Sequence, residues 1–214
     1  MRKLLSAAAF AVLLSTAAFA AEPSAPEKGG TEAPTVRPAD AKGIDTVGAT
    51  DELVIPDGWS LVTSPVGGFR AAFPSSPKVK EQPLKTEAGW VRMISYGVAP
   101  KNDDSYLMVM VGQYPDGTMS AMPADQVLKS ACDGMLAQQK LTLLTDKPVS
   151  VNAPKGSSER SFPGRDIEAT QGPEGMRISI RMILVKDRMY QIMFMHKNED
   201  TGLFKQLLST FSLQ

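Results

Sequence analysis

Between positions 123 and 136 the apolar residues fall at Val127, Leu128, Ala131, Cys132, Met135 and Leu136. Their spacing of i, i+1, i+4, i+5, i+8 and i+9 is that of one helix face. Pro123 suits its first turn and Asp125 sits where the helix dipole favours a negative charge. A second, closing helix is predicted over 203–211, with Leu203, Phe204, Leu207, Leu208 and Phe211 on one side. Elsewhere the pattern is that of strands. Short ones are predicted at 59–63 and 69–73, broken by Ser64, Pro65, Gly67 and Gly68, and longer ones at 90–98 and 105–114. Tyr114, Pro115, Asp116 and Gly117 make a turn, because Pro presets φ and Gly accepts a left-handed position. Residues 141–151 read as extended, and strands at 165–171, 176–185 and 188–195 follow. Residues 107–111 and 189–195 are apolar on both faces, so their strands belong inside a covered sheet. With two helices and mostly hairpin connections, the expected class is α+β, an α/β/α sandwich whose central, mostly antiparallel sheet has a helix packed on each face.

The first 50 residues follow neither period. Arg2 and Lys3 precede an apolar run at 4–14, and Ala18, Phe19 and Ala20 offer a small-x-small cleavage site, so 1–20 reads as a secretory signal. Eleven helical residues rise only about 16 Å, well short of the roughly 30 Å hydrocarbon core. The expected location is therefore periplasmic or secreted, with no membrane span after signal cleavage. Residues 21–50 hold Pro23, Pro26, Pro34 and Pro38, a Gly pair and no aromatic residue, too little apolar surface to offset ordering entropy. They read as a disordered tether, leaving 51–214 as a single folded domain.

Composition narrows the function. The chain has 23 basic and 23 acidic residues, which gives no electrostatic reason for nucleic-acid binding. One Cys excludes an internal disulfide framework, and one His excludes a His-rich metal site. A Ser-His-Asp or Cys-His arrangement would have to run through His196 alone.

Turn lengths fix the pairing of the last three strands. A two-residue turn at Lys186 and Asp187 sets Val185 opposite Arg188, and hence Arg181 opposite Ile192, Ser179 opposite Phe194 and Arg177 opposite His196. A turn over 172–175 sets Asp166 opposite Arg181 and Glu168 opposite Ser179. One face then gathers Asp166, Glu168, Arg177, Arg181, Tyr190 and His196, and the other Ile167, Ile178, Ile180, Met182, Met189, Met193 and Met195. Glu168, Arg177, Arg181, Tyr190 and His196 are the candidate ligand- or partner-binding residues, with the arginines suited to a carboxylate or phosphate. Their plainer role is cross-strand pairing that fixes register.

Eleven methionines remain after Met1. The pairs Met108 with Met110 and Met193 with Met195 each put two thioethers on one strand face, a donor set for Cu(I); the plainer role is core filling. Cys132 lies in the apolar stripe of the first helix, where a thiol acts as a small hydrophobe. Asn102, Asp103 and Asp104 lack the spacing of a calcium loop.

Several segments resemble a known family. These are the run Gly68, Phe69, Arg70, Ala71, Ala72, Phe73, Pro74, Ser75, Ser76, Pro77; the run Phe162, Pro163, Gly164, Arg165, Asp166, Ile167, Glu168; the strand from Arg188 to Phe194; and the ending 204–213. Together they look like the small exported bacterial domains of the PsbP-like type, over about residues 57–213. The resemblance implies an α/β/α sandwich and a non-catalytic role in binding, assembly or stabilisation of a partner, with no catalytic residue to carry across. Three functions follow as expectations. The first is a non-enzymatic, cofactor-free domain binding an envelope protein or a small ligand. The alternatives are a Cu(I) carrier using the Met pairs and a hydrolase using His196.

Overall fold

The structure is a computed structural model that describes residues 53–86, 89–100, 105–172, 175–197 and 201–214. The signal, the tether and the Asn102 to Asp104 loop lie outside the described residues. In chain order the elements are β1 (Ser60–Ser64), β2 (Phe69–Phe73), β3 (Lys78–Thr86), β4 (Gly89–Val98), β5 (Tyr106–Gln113), a 3-10 turn (Met119–Ala121), α1 (Ala124–Gln139), β6 (Thr142–Asn152), β7 (Ser161–Gln171), β8 (Met176–Val185), β9 (Arg188–His196), α2 (Gly202–Thr210) and β10 (Ser212–Leu213).

Seven strands form one antiparallel sheet in the order β3-β4-β5-β9-β8-β7-β6, and β1, β2 and β10 form a second, smaller antiparallel sheet. This overturns the expected sandwich with a helix on each face of a central sheet. The protein is mostly β, with two helices among its described residues. Helix α1 lies against β7 and β8 on one face, but the other face meets the small sheet, with α2 set between β2 and β9. The reason is hydrogen bonding far along the sequence. After α2 the chain turns extended and β10 joins β2, while Thr210 Oγ1 accepts the Ala72 amide at 3.0 Å and Arg70 donates to Ser212 Oγ at 2.8 Å. Two tyrosines of the large sheet then reach up to the β1–β2 turn. Tyr96 donates to Ser64 Oγ at 2.7 Å, and Tyr190 to the Gly67 carbonyl at 2.9 Å.

Each face of the large sheet has its own core. The α1 face holds Val127, Leu128, Cys132 and Met135 of the helix against Ile167, Ile178, Ile180 and the strand methionines. The opposite face holds Phe69, Phe73, Phe194, Phe204 and Leu207, with Tyr96 and Tyr190. Arg165 ties α1 down: its guanidinium makes two 2.8 Å bonds to the Asp146 carboxylate on β6 and a third to Asp125 in the first turn of the helix. These neighbours hold Arg165 above the usual guanidinium range, Asp146 being the main cause.

Candidate functional site

The site is built by register. On β7 and β8, Asp166 stands opposite Arg181, Glu168 opposite Ser179 and Thr170 opposite Arg177; on β8 and β9, Ser179 stands opposite Phe194 and Arg177 opposite His196. Alternation along each strand then sends these side chains to the face opposite α1.

Two clusters form there. Arg181 clasps Asp166 with two bonds, Nε to Oδ1 at 2.7 Å and a second nitrogen to Oδ2 at 2.6 Å. One register step away, Ser179 Oγ donates to Glu168 Oε2 at 2.8 Å and lies 3.4 Å from His196 Nε2. The His196 ring stacks on Phe194, with centroids 4.5 Å apart and planes 11° apart, and Phe194 stacks in turn on Phe204 of α2. His196 is 3% exposed and Ser179 is fully buried. Glu168 is half-buried and Arg177 exposed, so Arg177 forms the outer edge of the group.

Of the predicted site residues, Glu168 and His196 meet through Ser179, and Arg181 is engaged by Asp166 beside them. Tyr190 shares their face but lies beneath the β1–β2 turn, where burial raises its hydroxyl pKa; it belongs to the core rather than to the cluster. Two serines outside that predicted set, Ser105 and Ser179, stand beside it. Continuing the β5–β9 register one step beyond Tyr106 and Met195 puts Ser105 opposite His196, on the Leu107 side of the strand. Ser105 is 7% exposed and its Oγ has no hydrogen-bond partner. The hairpin registers of β7, β8 and β9 were the signal that could have found Ser179, whereas Ser105 comes in through the non-local pairing of β5 with β9.

Chemically, the chain of Glu168, Ser179 and His196 is a hydrogen-bonded relay with the serine in the middle. A serine nucleophile would need its proton taken by the imidazole, with the carboxylate on the far ring nitrogen. Here the carboxylate accepts the serine proton directly, and no surface of the serine is open to a substrate.

The four paired methionines lie on the α1 face. Met108 stands opposite Met193, Met110 opposite Gln191, and Met195 opposite Tyr106, and all four are at most 7% exposed. Among the described residues no group of three or more His, Cys, Asp or Glu side chains is placed to hold a metal ion. No described helix is long and apolar enough to cross a membrane.

No protein-family model matches the chain. No curated protein matches it either. Among solved structures it is similar to the solution structure of cyanobacterial PsbP (CyanoP) from Synechocystis sp. PCC 6803, at 12% sequence identity and a TM-score of 0.44, covering 78% of this chain and 99% of that one.

Proposed function

We propose that this chain is an exported, non-catalytic binding domain that engages a protein partner at the cell envelope. One observation carries the reading: the Ser179 hydroxyl is fully buried and committed to Glu168, and His196 is sealed beside it, so the acid-base groups of the cluster work as internal struts. Recognition then falls to the surface. Trp90 is 64% exposed on β4, opposite Lys85 of β3, and tryptophan is among the residues that dominate protein interfaces. The basic start, apolar run and small-x-small site of 1–20 support export, and the Pro-rich 21–50 segment supports a tether.

The experiment is capture from envelope extract with mature wild type, Trp90→Ala and Glu168→Gln as parallel baits. A defined protein retained by wild type and Glu168→Gln but lost by Trp90→Ala is the expected result. No specific partner with any bait overturns the reading, and equal recovery with all three overturns the placement of the contact at Trp90.

The hydrolase alternative has one observation in its favour, the 3.4 Å approach of Ser179 Oγ to His196 Nε2. It requires a turnover that Ser179→Ala and His196→Ala each abolish.

A further inference from the structure

All eleven methionines after Met1 belong to the core layer beneath α1, nine of them buried and two, Met122 and Met176, partly buried against it. All six phenylalanines of residues 51–214 belong to the other layer. Gap filling by a flexible side chain is needed wherever packing is irregular and does not by itself choose a side. One residue in the methionine layer is also out of character. Gln191, on β9, is 2% exposed and its Oε1 has no hydrogen-bond partner. A purely apolar layer gains nothing from a buried amide, whose desolvation goes uncompensated.

The surroundings of Gln191 are specific. Met110 of β5 and Met182 of β8 stand directly opposite it on either side. Met189 and Met193 precede and follow it by two residues on the same face of β9. By register, Gln191 therefore stands at the middle of a cross of four methionines. This set differs from the two sequence-adjacent pairs, because it takes one methionine from each and adds Met182 and Met189.

We propose that the cross of Met110, Met182, Met189 and Met193 around Gln191 is a binding site for one soft monovalent cation, Cu(I). The donor set fixes softness, since thioethers select Cu(I) over hard or borderline ions. The charge of the layer fixes valence. Its donors are neutral, and the carboxylates at its margin are already paired, Asp125 and Asp146 with Arg165 and Asp133 with Lys129. A single positive charge can be met there by thioether lone pairs and the negative end of the Gln191 amide dipole, whereas a divalent ion would be left uncompensated. The closed packing fixes size: Met110, Met182, Met189, Gln191 and Met193 are each at most 4% exposed, which suits an ion rather than an organic molecule.

The test is titration of the mature protein with Cu(I) under reducing conditions, against a chromogenic Cu(I) chelator of known affinity. The variants are Met110→Leu/Met182→Leu, Gln191→Leu and, as a comparison, Met108→Leu/Met195→Leu; these swaps nearly conserve volume. Expected is one equivalent bound by wild type, at least tenfold weaker binding in the first two variants, and retained affinity in the third. No binding in competition with the chelator overturns the proposal, and so does affinity unchanged by the first two variants. A second measurement needs no variant. In protein labelled at the methionine methyl carbons and titrated with Ag(I), the resonances of Met110, Met182, Met189 and Met193 should move first. Movement confined to other methionines overturns the assignment.

Discussion

The carboxylate of Asp187, in the turn between β8 and β9, holds Met119: Oδ1 accepts the Met119 amide at 2.9 Å while Oδ2 accepts that of Gly117, also at 2.9 Å. The Asp187 carbonyl accepts a third amide, from Tyr114 at 2.9 Å. A two-residue hairpin turn thus doubles as a clamp on the loop that leads into α1. Asp187→Ala should destabilise the protein by about 2–3 kcal/mol, since two charge-assisted bonds are lost at once. Asn should recover part of the loss. The urea midpoint, at unchanged slope, measures it.

Arg165 should be the most costly single charge to remove. Its side chain is 12% exposed and joins Asp146 at 17% to Asp125 on the helix. Arg165→Ala leaves the Asp146 carboxylate without its cation, and a loss of about 2–4 kcal/mol is expected. Asp146→Asn should destabilise the wild type but recover part of the loss in the Arg165→Ala background, which a double-mutant cycle reads directly.

Gly97 makes room for a ring. The Tyr106 hydroxyl and ring lie where a Cβ on Gly97 would stand. Gly97→Ala should therefore cost about 1–3 kcal/mol by overpacking, and the penalty should fall sharply when Tyr106→Ala is added. Additive losses would mean that the glycine is required for some other reason.

Cys132 should be unreactive and pH-sensitive. Burial, followed by Asp146 and Asp133, raises its thiol from 9.0 to about 11. An acid whose folded pKa is raised ionises first in the unfolded chain. Stability is thus fully present below pH 9 and falls between pH 9 and 11, by about 3 kcal/mol in all. Cys132→Ala should remove that slope in chemical unfolding, and alkylation of the native protein at pH 8 should be much slower than in denaturant.

The hairpin registers were legible because turn length and side-chain parity fix them: Gln171 opposite Met176 and Val185 opposite Arg188 fall where the sequence puts them. β3 was not legible. The sequence pattern assigns no element to 78–86, yet Lys78, Lys80, Pro83 and Lys85 mark an edge strand, where lysines and a proline blunt further pairing. β1 and β2 were readable as strands, but their separation into a second sheet was not. Alternation says which side of a strand is buried, while membership of a sheet depends on bonds such as those from Ala72 to Thr210 and from Arg70 to Ser212.

The candidate site divides the same way. Glu168 against Ser179 followed from local register. The depth of His196 did not, because the Phe194 and Phe204 rings that stack beside it come together only when α2 packs. Tyr190 has the right parity and the wrong cover, set by the Ser64 to Gly68 turn more than a hundred residues away.

The partition of sulfur and aromatic side chains also decides how the molecule ages. Peroxide turns thioethers into polar sulfoxides and leaves phenyl rings largely untouched. Damage of that kind loosens the seat of α1 while the small sheet keeps its grip, so the protein wears from one side only.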